Sequence, residues 1–143
     1  MIQVVLAAPS AADIDIIAPA LAETYWSPGI PRAVVEKAWA NSTCALARDG
    51  EGRLLGFARA VTDRATFAWL CDVLVLPRAR GQGVARALVA ALMAAPDLQG
   101  LRRWLLATAD AHGVYAPLGF VPLPAPERWM EIKQAAPYGK PAG

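Results

Sequence analysis

Apolar and polar residues follow one another along this chain with two periods, and the changes of period mark out its elements. Ile2 to Leu6 is a short apolar strand. Beyond it, Ile14, Ile17, Ala18 and Leu21 fall on one face of a helix from about Ala11 to Ala22, which Ser10 or Asp13 can cap. The run Glu23-Thr24-Tyr25-Trp26-Ser27-Pro28-Gly29-Ile30-Pro31 breaks that period, and its prolines and glycine make it a loop. Pro31 suits the first turn of a second helix reaching about Asn41, with Val34, Val35, Ala38 and Trp39 inward. Thr43 to Arg48 and Leu54 to Thr62 read as strands joined by a hairpin at Asp49 to Gly52, and a long strand from Ala65 to Leu76 follows the Asp63-Arg64 turn. These three strands predict an antiparallel meander.

The pattern then turns helical. Val84, Leu88 and Leu92 recur in an alanine-rich segment from Gln82 to about Ala94, stopped at Pro96-Asp97. Leu101 to Ala107 is the next strand; a helical crossover leads to it, so it runs parallel to the strand before. Asp110 starts a short helix over Ala111 to Leu118, ended by Gly119. Phe120-Val121 and Trp129-Met130-Glu131-Ile132 read as the last two strands, separated by the proline-rich stretch from Pro122 to Pro126, and the tail from Gln134 reads as frayed. The residues alone argue for a mixed α/β sheet in one domain spanning residues 1–143.

Composition narrows the classes without naming a function. With 56% hydrophobic and 18% charged residues, the chain is set to fold around a core. No apolar run approaches a membrane span, and the N-terminus has no basic leader, so a cytoplasmic protein is expected. A net charge of +2 is too small to argue for nucleic acid. Cys44 and Cys71 lie in strands with no metal-site spacing and read as reduced core residues; no metal site is expected.

The chemistry begins where the longest strand ends. Pro77 stops the apolar run, and Arg78-Ala79-Arg80-Gly81-Gln82-Gly83 leads into the helix. Amides of a helix's first turn lack intrahelical partners, and the helix dipole places partial positive charge there. Glycines let the backbone approach a phosphate and arginines add charge, so the stretch predicts a site for a phosphorylated ligand. It lacks the lysine of a P-loop, and the dinucleotide fingerprint fails at its third small position, Arg86.

What fits is Arg/Gln-x-x-Gly-x-Gly/Ala, as Arg80-Gly81-Gln82-Gly83-Val84-Ala85, after a strand reading Val73-Leu74-Val75. Some thirty residues on, Val114-Tyr115-Ala116-Pro117-Leu118-Gly119-Phe120 is similar to L-Y-x-x-x-G-F. In motif order, spacing and length the chain resembles the GNAT superfamily of acetyl-CoA-dependent N-acetyltransferases, over roughly residues 43–133. The resemblance implies an α+β fold in the order β-α-α-β-β-β-α-β-α-β-β, a mostly antiparallel, twisted, mixed sheet of six to seven strands with about four helices. It implies acetyl-CoA as the cofactor and transfer of its acetyl group to a primary amine of a small molecule or peptide by direct attack in a ternary complex. No nucleic-acid or membrane partner is implied, and a homodimer is left open.

Site residues follow from the same resemblance. Gly81 to Arg86, with Arg80, would hold the coenzyme pyrophosphate, and the backbone of Val73, Leu74 and Val75 would pair with the pantetheine arm, which requires the strands ending near Val75 and Ala107 to splay. Tyr115 matches the tyrosine that protonates the departing sulfur, and the oxyanion donor would be a backbone N–H near Val75. The base is harder to assign, because the position where some relatives carry glutamate is Trp69. Asp72 is the one carboxylate in an apolar strand; it either pairs with Arg59 or another arginine, or serves the amine. Tyr25 and Trp26 either pin their loop to the core or line the acceptor site. Asp110 and His112 follow the next strand and could face the same cleft, although a helix cap and an exposed first-turn residue are the simpler accounts of them. Thr108 stands where the family often has asparagine. Beside the amine acetyltransferase stand two other readings, a larger acyl donor and a non-catalytic acyl-CoA sensor.

Overall fold

The computed structural model describes residues 1–139. Five strands form one mixed sheet in the order β1-β2-β3-β4-β5: β1 (Gln3–Leu6), β2 (Thr43–Arg48), β3 (Leu54–Thr62), β4 (Phe67–Val75) and β5 (Arg103–Leu105). The first four are antiparallel neighbours, as tight turns between successive strands require; β5 lies parallel to β4, reached through a helix. Two helices, α1 (Ala11–Ala22) and α2 (Arg32–Ala40), cover one face, while α3 (Val84–Met93) and the single turn α4 (His112–Tyr115) cover the other.

The helical faces follow the sequence pattern closely. Ile14, Ile17, Ala18 and Leu21 are buried beneath α1, against Leu46, Phe57 and Leu76. Val84, Leu88 and Leu92 of α3 are buried against the small side chains Ala45, Ala47, Ala58 and Ala60, which let the helix lie close on the sheet. At the start of α1, Ser10 and Asp13 both act. The Ser10 hydroxyl accepts from the Asp13 amide at 3.1 Å and the Asp13 carboxylate accepts from the Ser10 amide at 3.0 Å, a reciprocal capping box. Asp13 also takes both Arg48 terminal nitrogens, at 3.0 and 2.8 Å, which ties α1 to the end of β2.

Several expectations need correcting. The sheet has five strands rather than six or seven, because Phe120-Val121 and Trp129–Ile132 pair with nothing among the described residues. Their composition suits a strand, but a strand also needs a neighbouring edge, and the prolines at 122, 124 and 126 remove ladder donors between them. Pro31 is the cap of α2 rather than its first helical residue, and Val34 faces outward while Val35 and Trp39 are buried. The short helix begins at His112, with Ala111 as its cap, and finishes as a 3-10 turn over Ala116–Leu118. Asp110 is therefore not the cap; the Ala111 amide donates instead to the Thr108 hydroxyl at 3.1 Å. Of the tail expected to fray, residues 134–138 are exposed or nearly so and 140–143 lie outside the described residues.

Candidate functional site

The site is built where β4 leaves β5. Pairing between them covers Phe67↔Arg103, Ala68↔Trp104 and Trp69↔Leu105 and stops there, although β4 continues to Val75. On its other side β4 carries a bulge: Phe57 faces Leu74 and Arg59 faces Cys71, so Asp72 and Val73 together oppose Ala58. Asp72 takes φ of 50°, a left-handed conformation that costs most side chains about 1–2 kcal/mol and that aspartate tolerates better than most. A bulge bends and twists its strand. From Cys71 to Val75, β4 thus presents one edge with no strand beside it among the described residues, its side chains half-buried.

This opening leads to the glycine turn. After a 3-10 turn over Pro77–Ala79, Gly81 and Gly83 take φ of 77° and 78°, and Gly83 is the cap of α3. Glycine is required there by the dihedral, and among the described residues nothing beyond the flanking ones lies within 4 Å of the position a Cβ would occupy at either residue, so the surface above the turn is open. The first i→i−4 bond of α3 runs from the Ala87 amide to the Gly83 carbonyl at 3.1 Å, which leaves the amides of Val84, Ala85 and Arg86 ahead of it without helical acceptors. Arg80 and Arg86 are exposed and join no ion pair among the described residues. Gln82 reaches back to the Arg78 carbonyl at 3.4 Å, and Arg78 itself is turned to the Leu54 carbonyl. An anion with closely spaced oxygens suits this turn, since the first-turn amides of α3 lack helical acceptors, the helix dipole adds partial positive charge, and two exposed arginines flank it in sequence.

Asp72 belongs to a network spanning three elements. One carboxylate oxygen accepts from Arg59 Nε at 2.6 Å and the other from Trp26 Nε1 at 2.9 Å. Arg59 Nη1 in turn donates to the Ser42 hydroxyl at 3.1 Å. The Asp72 and Arg59 side chains are 9% and 17% exposed, so the pair is mostly shielded from water and loss of either partner would strand the other's charge. Trp26 and Tyr25 stack edge to face at 5.0 Å, and the Tyr25 hydroxyl accepts from the Ala109 amide at 3.1 Å. The loop between α1 and α2 therefore touches β4 through Trp26 and the chain beyond β5 through Tyr25. It bridges the mouth of the opening while both rings stay nearly half exposed.

Tyr115, at the end of α4, is half-buried and packs edge to face with Phe120, centroids 6.0 Å apart. Burial pushes its phenol above the usual value, and the neighbouring Tyr25 and Asp110 push the same way. Of the candidates, Tyr25, Trp26, Asp72, Asp110 and Tyr115 thus gather around the opening, and Val73–Val75 and the residue 80–86 turn line its continuation. His112 is exposed and makes no side-chain hydrogen bond among the described residues. Cys44 is buried and Cys71 half-buried; burial pushes both thiols up to about 11 although Arg59 pulls them down, so neither is a ready nucleophile.

Two site features escaped sequence reasoning, and each had a signal. An aspartate inside an apolar strand marks a bulge as well as a carboxylate. Gly56 marks a close approach: a Cβ there would sit 2.8 Å from the Leu74 carbonyl oxygen and 3.0 Å from Val84, so glycine lets β3, β4 and α3 meet beneath the turn.

A mixed sheet split at one end, with a glycine turn at the head of a helix, makes this an α+β fold of the GNAT-like type. The chain belongs to the GNAT acetyltransferase family, whose model matches residues 15–120. It is 44% identical to a crystal structure from Xanthomonas campestris pv. campestris described as belonging to the GNAT family, over 96% of this chain and 98% of that one, with a TM-score of 0.88. It also resembles a meticillin-resistant Staphylococcus aureus protein of unknown function (23% identity, 94% and 100% covered, TM-score 0.73). A third likeness is to a Clostridium acetobutylicum protein described as a predicted acetyltransferase and crystallised with acetyl-CoA (15% identity, 93% and 96% covered, TM-score 0.67). None of the curated proteins compared matches the chain. No helix among the described residues is long and apolar enough to cross a membrane.

Proposed function

We propose that this protein transfers an acetyl group from acetyl-CoA to a primary amine of a small molecule or peptide, in a ternary complex and as one domain. The observation that carries this reading is the continuity of the unpaired β4 edge, Cys71 to Val75, with the left-handed glycine turn and free amides of α3. An amide-rich arm pairs with such an edge as an added strand, while its phosphates rest on the helix terminus. The backbone of Val73, Leu74 and Val75 holds the arm; Gly81, Gln82, Gly83, Val84, Ala85 and Arg86 hold the pyrophosphate, with Arg80 and Arg86 adding charge.

Acetyl-CoA supplies an activated thioester. The chain's part is to align an amine with that carbonyl, to offer a backbone N–H near Val75 to the developing oxyanion, and to provide a proton at Tyr115 Oη for the departing sulfur. Because the Tyr115 phenol is pushed up, it holds that proton throughout the neutral range. Both Asp72 oxygens already accept from Arg59 and Trp26, which favours a positioning role: Asp72 sets the Trp26 ring, and Trp26 with Tyr25 forms the acceptor wall. The engagement of that carboxylate also motivates the second reading, a non-catalytic acyl-CoA sensor.

Thiol release from acetyl-CoA against a panel of primary amines, beside calorimetry of coenzyme binding, tests the proposal. Release that depends on the amine supports the transferase. Binding with no release for any amine supports the sensor, and absence of binding removes both.

A further inference from the structure

Beside the Asp72 network the sheet carries apolar side chains that neither core takes in. Successive residues of a strand point to opposite faces, and residues paired across strands share one. Ala68 and Leu70 of β4 enter the core beneath α3. Phe67 and Trp69 therefore face the side of α1 and α2, and Trp69 shares that face with its partners Val61 on β3 and Leu105 on β5. None of these four packs into either core. Phe67 and Trp69 stay 40% and 47% exposed, and large rings left together in water mark a surface built to be covered.

This surface adjoins the proposed acceptor wall. Arg59 pairs with Cys71, two residues or about 7 Å along the strands from the Val61–Trp69 pair. The bulge brings the Asp72 carboxylate to that same side, where it meets Arg59 and fixes the Trp26 ring. The unpaired β4 edge begins just past Trp69 and runs toward the glycine turn. An arm with its phosphates at that turn points its acyl end back toward these rings.

Charge selects what would cover them. The carboxylates beside the rings are engaged: Asp72 by Arg59 and Trp26, and Asp63, in the turn before Phe67, by the Ala65 and Thr66 amides at 2.9 and 2.7 Å. Two arginines face the same side, Arg59 opposite Cys71 and Arg103 opposite Phe67, and the Arg103 guanidinium lies 5.0 Å from the Trp129 ring. A second ammonium on the acceptor would meet cations there, and a carboxylate would find both arginines occupied. An uncharged aromatic body fits, because it packs on ring faces and edges with no polar group to satisfy.

We propose, resting on the transferase reading above, that the acceptor is a monoamine bearing an uncharged aromatic ring, and that Trp69, with Phe67 and Trp26, seats that ring and sets specificity.

Calorimetry of the full chain with phenethylamine, hexylamine, ethylamine and putrescine, with and without coenzyme A, tests this without turnover. Phenethylamine should bind at least about tenfold tighter than ethylamine and at least about threefold tighter than hexylamine, whose apolar size is similar. Trp69→Ala should weaken phenethylamine binding at least about tenfold, whereas Trp69→Phe, which keeps a ring, should weaken it under about threefold. Trp69 is exposed, so both variants should keep the wild-type circular dichroism and coenzyme A affinity. No phenethylamine binding, equal affinity for hexylamine, tighter binding of putrescine, or wild-type affinity in Trp69→Ala overturns the proposal. Thiol release from acetyl-CoA is scored separately. Amine-dependent release with no aromatic preference keeps the transferase and overturns this inference; aromatic preference in binding, with no release for any amine, supports the ring site and overturns the transferase.

Discussion

Tyr115 and Asp72 are the two residues whose roles a single substitution separates. Tyr115→Phe keeps the ring packed on Phe120 and removes the proton. Turnover should fall by about 10²–10⁴-fold, the usual worth of general acid catalysis, with coenzyme affinity nearly unchanged. The pH profile gives a second check. An acid acts only while protonated, so activity should persist to a pH above the ordinary phenol value of about 10, and the Tyr115-dependent alkaline limb should vanish in the variant. Steady-state rates across alkaline pH decide it; a loss under threefold, with chemistry rate-limiting, would leave Tyr115 a packing residue. For Asp72, asparagine is the informative replacement, because it tolerates the same left-handed backbone and removes only the charge. Asp72→Asn should lower stability by about 3 kcal/mol, since Arg59 is stranded in a shielded place, and should loosen Trp26 and raise KM for the amine. The acidic limb of the pH–rate profile should stay where it was. A stable variant with that limb abolished would make Asp72 the base.

At the scale of elements, the strand–turn–helix unit from β4 to α3 carries the proposed coenzyme site. Gly83→Asp tests it on two counts, by forcing a β-carbon into a left-handed backbone and by placing a carboxylate where an anion is to bind. Coenzyme A affinity should drop well over tenfold, about 1.4 kcal/mol, in calorimetry of the folded variant. Normal binding there would remove the coenzyme assignment. The turn was legible because αL glycines at a strand–helix junction leave a sequence mark. The bend of β4 was not: the bulge at Asp72 depends on how Arg59 and Phe57 of β3 pair with it.

At the scale of the whole molecule, α1 is fastened to the sheet by Asp13, and stability in acid should report it. The Arg48 guanidinium beside it holds the Asp13 carboxyl below the usual range. A depressed carboxylate stabilises the fold fully above its unfolded value of about 3.9, and that contribution is lost as pH falls through the lower folded value. Asp13→Asn should therefore cost about 2 kcal/mol near neutrality, less than a fully enclosed pair because Arg48 can reach water, and progressively less as pH falls below the unfolded value of about 3.9. Urea melts across that range check the sign; a cost that does not shrink in acid would exclude the ion pair as its source. The buried faces of α1 and α3, the meander, the parallel return of β5 and the left-handed glycine turn before α3 were all determined by the sequence itself, because periods of 3.6 and 2 and the dihedral freedom of glycine are local properties of the chain. Tertiary structure decided the rest. Trp26 meets Asp72 across 46 positions, Tyr25 reaches Ala109 across 84, β4 parts from β5 after Trp69, and residues 130–133 join no strand among the described residues. Each of these depends on which groups lie side by side once the helices pack, and neither a hydrogen bond nor a strand edge can be satisfied by composition without a partner in space.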